Sequence, residues 1–375
     1  MTFAPDLIVR VLVQPRLLDG LTALDWDLLV RQARRSNLLA RLAWQIDSTG
    51  TLTTVPPAPR AHLQSALLVA MRQQVVVQAE VHHIVSELSA TDTQVILLKG
   101  AAYVMAGLPV SHGRLFSDID ILVPKESIGE VESELMIHGW QGTKLDEYDQ
   151  RYYRRWMHEI PPMQHVRRGT SIDVHHTILP ETARVKVNTG ALFESVVPVP
   201  GTNNAYILQP IDMFLHSAAH LFHEGEFDNG LRDLFDLDSL LRHFSTEVGF
   251  WTCLVPRAQH LGLRRPLYYA LRYTSSILST PIPAEVMDAA RLGGPSNAVR
   301  WLMDACFARV LRPLHASCST RGTWLARAGL YARSHWIRMP MALLVYHLAH
   351  KALIRPKQAI AEPDLKAEAE GRPWK

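Results

Sequence analysis

Apolar residues recur along this chain with two different periods. Leu7, Ile8, Val11 and Leu12 share a helical face, and after a break at Pro15 and Leu18-Asp19-Gly20 the spacing resumes with Leu21, Leu24, Leu28, Leu29, Ala33, Leu38, Leu39 and Leu42. Residues 7–47 are therefore expected to be helical. Pro56, Pro57 and Pro59 mark a loop over 51–60, and the Ala-, Gln-, Val- and Leu-rich stretch from Pro59 to Ala90 predicts one long helix. The period then changes. Gln94–Leu98 is a short apolar run ending at Lys99-Gly100, which predicts a buried strand. A short helix over Ala101–Gly107, a loop over Leu108–Phe116 and a second strand over Ile119–Val123 follow. Pro124 opens a helix to His138 that Gly139 closes. Tyr153–Arg167 and Ser171–Ile178 predict a hairpin turned at Arg168-Gly169. Leu179–Asn204 reads as a loop region with a short helix near Ala191-Leu192-Phe193. From Gln209-Pro210 to Leu353 the pattern is helical, with Leu231, Leu234, Leu237, Leu240 and Leu241 on one buried face. Glu362–Lys375 is polar, contains two prolines and is expected to be a disordered tail.

Composition bounds the class. With 375 residues, 47% hydrophobic and 20% charged, the chain is expected to be an ordered globular protein of two or three domains. Three cysteines, Cys253, Cys306 and Cys318, lack metal-ligand spacing and cannot all pair, so a reducing compartment is expected. No signal peptide is expected at Met1–Asp6, and no stretch reaches the roughly 18 apolar residues that span a bilayer. The net charge of +3 hides an asymmetry: Ala305–Ala361 carries nine Lys and Arg and no acid, leaving the remainder with 30 basic against 36 acidic residues. This basic arm, with Trp324, Tyr331, Trp336 and Tyr346 interleaved, is compatible with an anionic membrane surface, with RNA or phosphate, or with an ordinary solvated helix pair. The expected location is cytoplasmic, with peripheral membrane attachment as an option of the arm.

The chemistry concentrates in Ser117-Asp118-Ile119-Asp120-Ile121-Leu122-Val123. On a strand, Asp118 and Asp120 share a face while Ile119, Ile121 and Val123 take the other. Two carboxylates that close repel unless a cation lies between them, and hard oxygen ligands suit Mg²⁺ held with a substrate phosphate. Lys99-Gly100 opens a helix, where glycine lets a phosphate approach the backbone. Asp173, on the later alternating segment Ser171–His175, is a third carboxylate, and the three together suggest a two-metal phosphoryl-transfer site. Asp173-Val174-His175-His176 has a competing reading as a transition-metal site, but His175, on the face of Asp173, is read before that as a packed histidine or as one that contacts a phosphate or supports the carboxylates; His176 points away. His216, His220 and His223 fall on one helix face, without the intervening Glu of a zincin, and either line the cleft or form a polar helix seam.

The series Leu97-Leu98-Lys99-Gly100, Arg114-x3-Asp118-Ile-Asp120-Ile-Leu-Val and Ile172-Asp173-Val-His175 resembles the nucleotidyltransferase superfamily, with its DNA polymerase β-like fold. It is most similar to the uncharacterised bacterial nucleotidyltransferase proteins that open with Leu-Lys-Gly, over roughly residues 65–245. The resemblance implies an α/β (α+β) core with a mixed sheet, flanked by N-terminal helices and a C-terminal helical bundle. The expected boundaries are 1–90, 91–205, 206–355 and a tail at 356–375. It implies Asp118, Asp120 and Asp173 as metal ligands and catalytic residues. Lys99, Gly100, Arg114, His175 and Arg232 are the expected nucleotide contacts. Ala101 departs from the Ser that follows Gly in the wider superfamily, and Lys99 and Arg114 are natural cationic replacements. The implied reaction is Mg²⁺-dependent transfer of a nucleoside monophosphate from an NTP to an acceptor hydroxyl with release of pyrophosphate. Two ions, with Mn²⁺ as a substitute, would serve it. The acceptor is a protein, small molecule, sugar or RNA. The alternatives are a nucleotide-binding protein without turnover, motivated by Ala101, and a membrane-peripheral accessory protein of polysaccharide or secondary-metabolite assembly.

Overall fold

Three consecutive buried residues, Val95–Leu97, form the central strand β1 of a mixed sheet. The structure is a computed structural model that describes residues 6–143, 150, 153, 154 and 156–340. The expected tail and the last part of the expected helical stretch, residues 341–353, lie outside the described residues. The other strands are β2 (Asp118–Leu122), β3 (Trp140–Gly142), β4 (Met163–His165), β5 (Ser171–His175), β6 (Val196–Pro198) and β7 (Ala205–Leu208). Among the described residues they form one sheet in the order β3-β4-β5-β2-β1-β7-β6. β1 is antiparallel to β2 and parallel to β7, and β2 is parallel to β5. A sheet whose middle is covered on both sides needs apolar strands, and Ile96, Leu97, Ile121, Leu122, Ile172 and Val174 are all fully buried.

The helices hold this sheet in register with the loops that carry the site. The long helix spans Pro57–Glu87, beginning earlier than expected because a proline suits the first helical turn. Near its end Glu80 accepts from Arg168 Nε at 2.9 Å, and Glu87 accepts from Trp140 Nε1 at 2.7 Å. These bonds tie the helix to β3 and to the β4–β5 turn. Further back, Gln73 Oε1 accepts from the Phe116 N–H at 2.9 Å and Gln74 Nε2 donates to the Ser111 carbonyl at 2.7 Å. The loop entering β2 is thereby fastened to the helix. On the other side, the helix Pro210–His223 packs on β7 and on the helices Gly230–Phe244 and Arg264–Leu278.

Several expectations need correction. The hairpin turns at Gly169, whose φ of +71° suits a glycine. Its first arm, however, is only Met163–His165, and Tyr153, Arg154 and Trp156 are helical. Strands β3, β6 and β7 were not expected. Each has three or four residues, too few to display a period, and their partners rather than their own pattern make them strands. β7 also crosses the boundary expected between residues 205 and 206. The basic arm is not simply a solvated face: Arg312 pairs with Asp6, Arg327 with Asp228 and Arg338 with Glu224, while Arg333 donates to the Phe222 carbonyl at 2.9 Å. The acids it lacks come from elsewhere in the chain. Among the described residues, no helix is long and apolar enough to cross a membrane.

Candidate active site

The parallel pairing of β2 and β5 sets Asp120 directly beside Asp173. Alternation puts Asp118 on the same face of β2 and His175 on the same face of β5, while Ile119, Ile121, Ile172 and Val174 fill the core behind. Lys99 reaches this face from the end of β1. It is a non-glycine residue at φ +42°, in the left-handed region that L side chains rarely adopt, and such strain persists where neighbours over-determine it. Here the neighbours are evident: the Leu98 N–H donates to the Asp120 carbonyl at 3.0 Å, and Lys99 Nζ donates to Asp120 Oδ1 at 2.9 Å. His175 Nε2 lies 3.1 Å from the same oxygen. Both contacts converge on Oδ1, and Oδ2 takes neither.

Glu159 completes the cluster. A backbone bridge sets Glu159 opposite His175, with the Ile160 N–H donating to the Val174 carbonyl at 3.0 Å and the His176 N–H to the His158 carbonyl at 2.9 Å. Glu159 Oε2 stands 3.3 Å from His175 Nδ1. No periodicity marks His158-Glu159, and sequence reasoning missed both; the only signal was a polar pair directly before the apolar Ile160-Pro161-Pro162.

Four carboxylates around two cations make this face electrostatically unbalanced. Burial works against charge on Asp120, but Lys99 and His175 outweigh it and hold the carboxyl well below the usual range. Burial and then the charge of Asp120 push Asp118 up. Asp173 rises to about 7 through burial, Asp120 and Glu159. Burial would lower Lys99, yet Asp120 and its neighbours hold it above its ordinary value. Burial drives His216 down to about 3 and His220 well below its usual range, each with help from the charge of Lys99. Both therefore stay neutral beside the cluster. His223 sits apart, its Nδ1 against the Ala219 carbonyl at 3.0 Å and Arg333 nearby.

Of the residues expected from sequence, the structure brings together Lys99, Asp118, Asp120, Asp173 and His175. Gly100 adjoins Lys99, while Arg114 and Arg232 each pair with an aspartate of the helix Gly230–Phe244. Arg114 is buried, donates Nε to Asp236 Oδ2 at 2.8 Å and lies over the rings of Phe116 and Tyr103. Arg41, which the sequence reading did not single out, donates to Asp236 Oδ1 at 2.6 Å. Arg232 hydrogen-bonds Asp233 at 2.7 Å rather than Asp236 at the next helical turn. Gly100 is enclosed: a Cβ there would lie 2.6 Å from Phe116 Cδ1 and 2.8 Å from Arg114 Nη1. Its lack of a side chain makes room for those two groups. His176, just past the end of β5, lines a separate cavity of about 530 Å³ with Thr177, Lys186 and Phe193.

No curated protein matches the chain. Among solved structures, an antigenic nucleotidyltransferase-like protein from Paracoccidioides brasiliensis is similar at 14% identity and a TM-score of 0.27, covering 58% of this chain and 95% of that one; nothing here rests on that likeness. The sequence profile of the family described as "Uncharacterised nucleotidyltransferase" matches residues 22–279, which include every residue of the carboxylate face. The match spans well over half of the chain, and the chain belongs to that family of uncharacterised nucleotidyltransferases.

Proposed function

We propose that the chain transfers a nucleoside monophosphate from an NTP to an acceptor hydroxyl, with divalent cations held by Asp118, Asp120 and Asp173. Family membership carries nucleotidyl transfer as the general reaction; the finer reading rests on the register Asp120↔Asp173 with Asp118 on the same face. The donor set fits hard cations. Three carboxylates share one face, and two of them are raised by burial and by their neighbours' charge, so added positive charge is what the face lacks. Bound Mg²⁺ or Mn²⁺ would neutralise the triphosphate and lower the pKa of the acceptor hydroxyl.

The chain's own residues supply the rest. Lys99 and His175 hold Asp120 ionised and fix its Oδ1, leaving Oδ2 to face a ligand. Asp173, raised to about 7 on the metal-free face, is where a bound cation would be most favoured, and the acceptor hydroxyl, acidified by that cation, would lose its proton to water. The acceptor oxygen bonds to the α-phosphorus, the bond from that phosphorus to the α–β bridging oxygen breaks, and pyrophosphate leaves. Arg114 supports this geometry from beneath, through Phe116 and Gly100.

Label position tests the reading. With purified protein, Mg²⁺ and a lysate as acceptor source, α-labelled NTP should mark the acceptor and γ-labelled NTP should release labelled pyrophosphate. Transfer of the γ label to the acceptor would mean a different phosphoryl transfer, and no transfer from any NTP would leave a binding protein.

A further inference from the structure

We propose that His158, Glu159 and His175 form a separate transition-metal site, of the kind that takes Zn²⁺, beside the carboxylate face. One ligand atom from each of the three lies within 4.8 Å of the other two. Glu159 Oε2 is 3.3 Å from His175 Nδ1 and 3.9 Å from His158 Nε2. Bonds of about 2.0–2.1 Å at tetrahedral angles place ligand atoms about 3.3–3.4 Å apart, so the Glu159–His175 pair already fits and His158 would draw in on binding.

The second observation is the state of His175. Its side chain is 4% exposed, and its Nδ1 has no hydrogen-bond partner among the described residues. The 3.3 Å approach of Glu159 lacks the alignment of a hydrogen bond. Meanwhile Nε2 lies 3.1 Å from Asp120 Oδ1, and a carboxylate there requires Nε2 to carry the proton. Nδ1, buried and unpartnered, stands toward Glu159 and is the nitrogen that an incoming ion would take in place of a proton. A histidine that donates one nitrogen to a carboxylate and offers the other is the usual arrangement of a metal-ligating imidazole.

The ligands also sit on rigid backbone. Glu159 and His175 face each other across a bridge fixed by two main-chain hydrogen bonds. Two imidazoles and one carboxylate favour Zn²⁺, Co²⁺ or a similar ion over Mg²⁺, which prefers oxygen alone. Three protein ligands leave a fourth position for water or substrate. Through His175 this ion would orient Asp120 without touching it. The site does not depend on nucleotidyl transfer being the reaction.

The test is a Co²⁺ titration of the chelator-treated full chain, read by visible absorption. One tight equivalent with the intense absorption of tetrahedral Co²⁺ is expected. Zn²⁺ should displace it and excess Mg²⁺ should not. His158→Ala and the isosteric Glu159→Gln should each lose the band while circular dichroism shows a folded chain, and Asp118→Asn should keep it. No band in the wild type, a band unchanged in both variants, or a band abolished by Mg²⁺ would overturn the proposal.

Discussion

Asp236→Asn is the sharpest probe of what supports the candidate site. Asp236 is almost fully buried and takes Nη2 of Arg41 at 2.6 Å on one oxygen and Nε of Arg114 at 2.8 Å on the other. Arg41 further donates to the Val110 carbonyl at 3.0 Å, so it cannot swing into solvent without breaking that bond. Asparagine keeps the volume and removes the charge. Two buried guanidinium groups, each already disfavouring its neighbour's charge, would then share one neutral side chain. Breaking a buried pair by removing one partner costs about 3–5 kcal/mol. With a urea slope of about 3 kcal/mol/M, the unfolding midpoint should drop by about 1–1.7 M. Equilibrium urea denaturation followed by tryptophan fluorescence and circular dichroism measures it. A loss below about 1 kcal/mol, the value of an exposed pair, would refute the assignment of Asp236 as the buried anchor of both arginines.

Other consequences follow from the same contacts. Arg114→Lys keeps the charge but loses the Nε donor and the stacking on Phe116, so denaturation should show reduced stability while equilibrium binding shows unchanged NTP affinity; the reverse pattern would make Arg114 a phosphate ligand. Gly100→Ala drives a methyl into Phe116 and Arg114 and should cost about 1–3 kcal/mol in denaturation, partly restored by Phe116→Leu; no cost would mean that the loop yields freely. Burial holds His223 at about 4 against an ordinary 6.5, so the unfolded chain binds more protons between those values and stability falls as pH drops through them. At pH 5 the loss is about 2 kcal/mol, and His223→Gln should remove that part of the slope from a pH series of denaturation midpoints; an unchanged slope would contradict a neutral buried His223.

What the sequence made legible was whatever carried a long period or a dense local pattern. Asp118-Ile-Asp120 and Ile172-Asp173-Val-His175 alternate strongly enough to reveal both strands and the shared face, and β2 and β5 bear that out. The helices Pro57–Glu87 and Pro210–His223 were equally plain. Non-local partners were not. Arg114 looked like a phosphate contact because it precedes the aspartates, yet Asp236, far along the chain, holds it. Glu159 reaches the site through a single backbone bridge, which leaves no trace in local spacing. The arginines of the acid-free arm looked unpaired because Asp6, Glu224 and Asp228 lie outside it.

The central claim, that Asp118 and Asp120 with Asp173 form a divalent-cation transfer site, is tested most directly by the rate of pyrophosphate release with NTP and acceptor. Wild-type protein should release pyrophosphate with Mg²⁺ and stop when the ion is chelated. Asp118→Asn and Asp120→Asn, shape-preserving changes that remove several kcal/mol of charge stabilisation, should each lower the rate at least about 100-fold. Release at the wild-type rate from either folded variant would contradict the account.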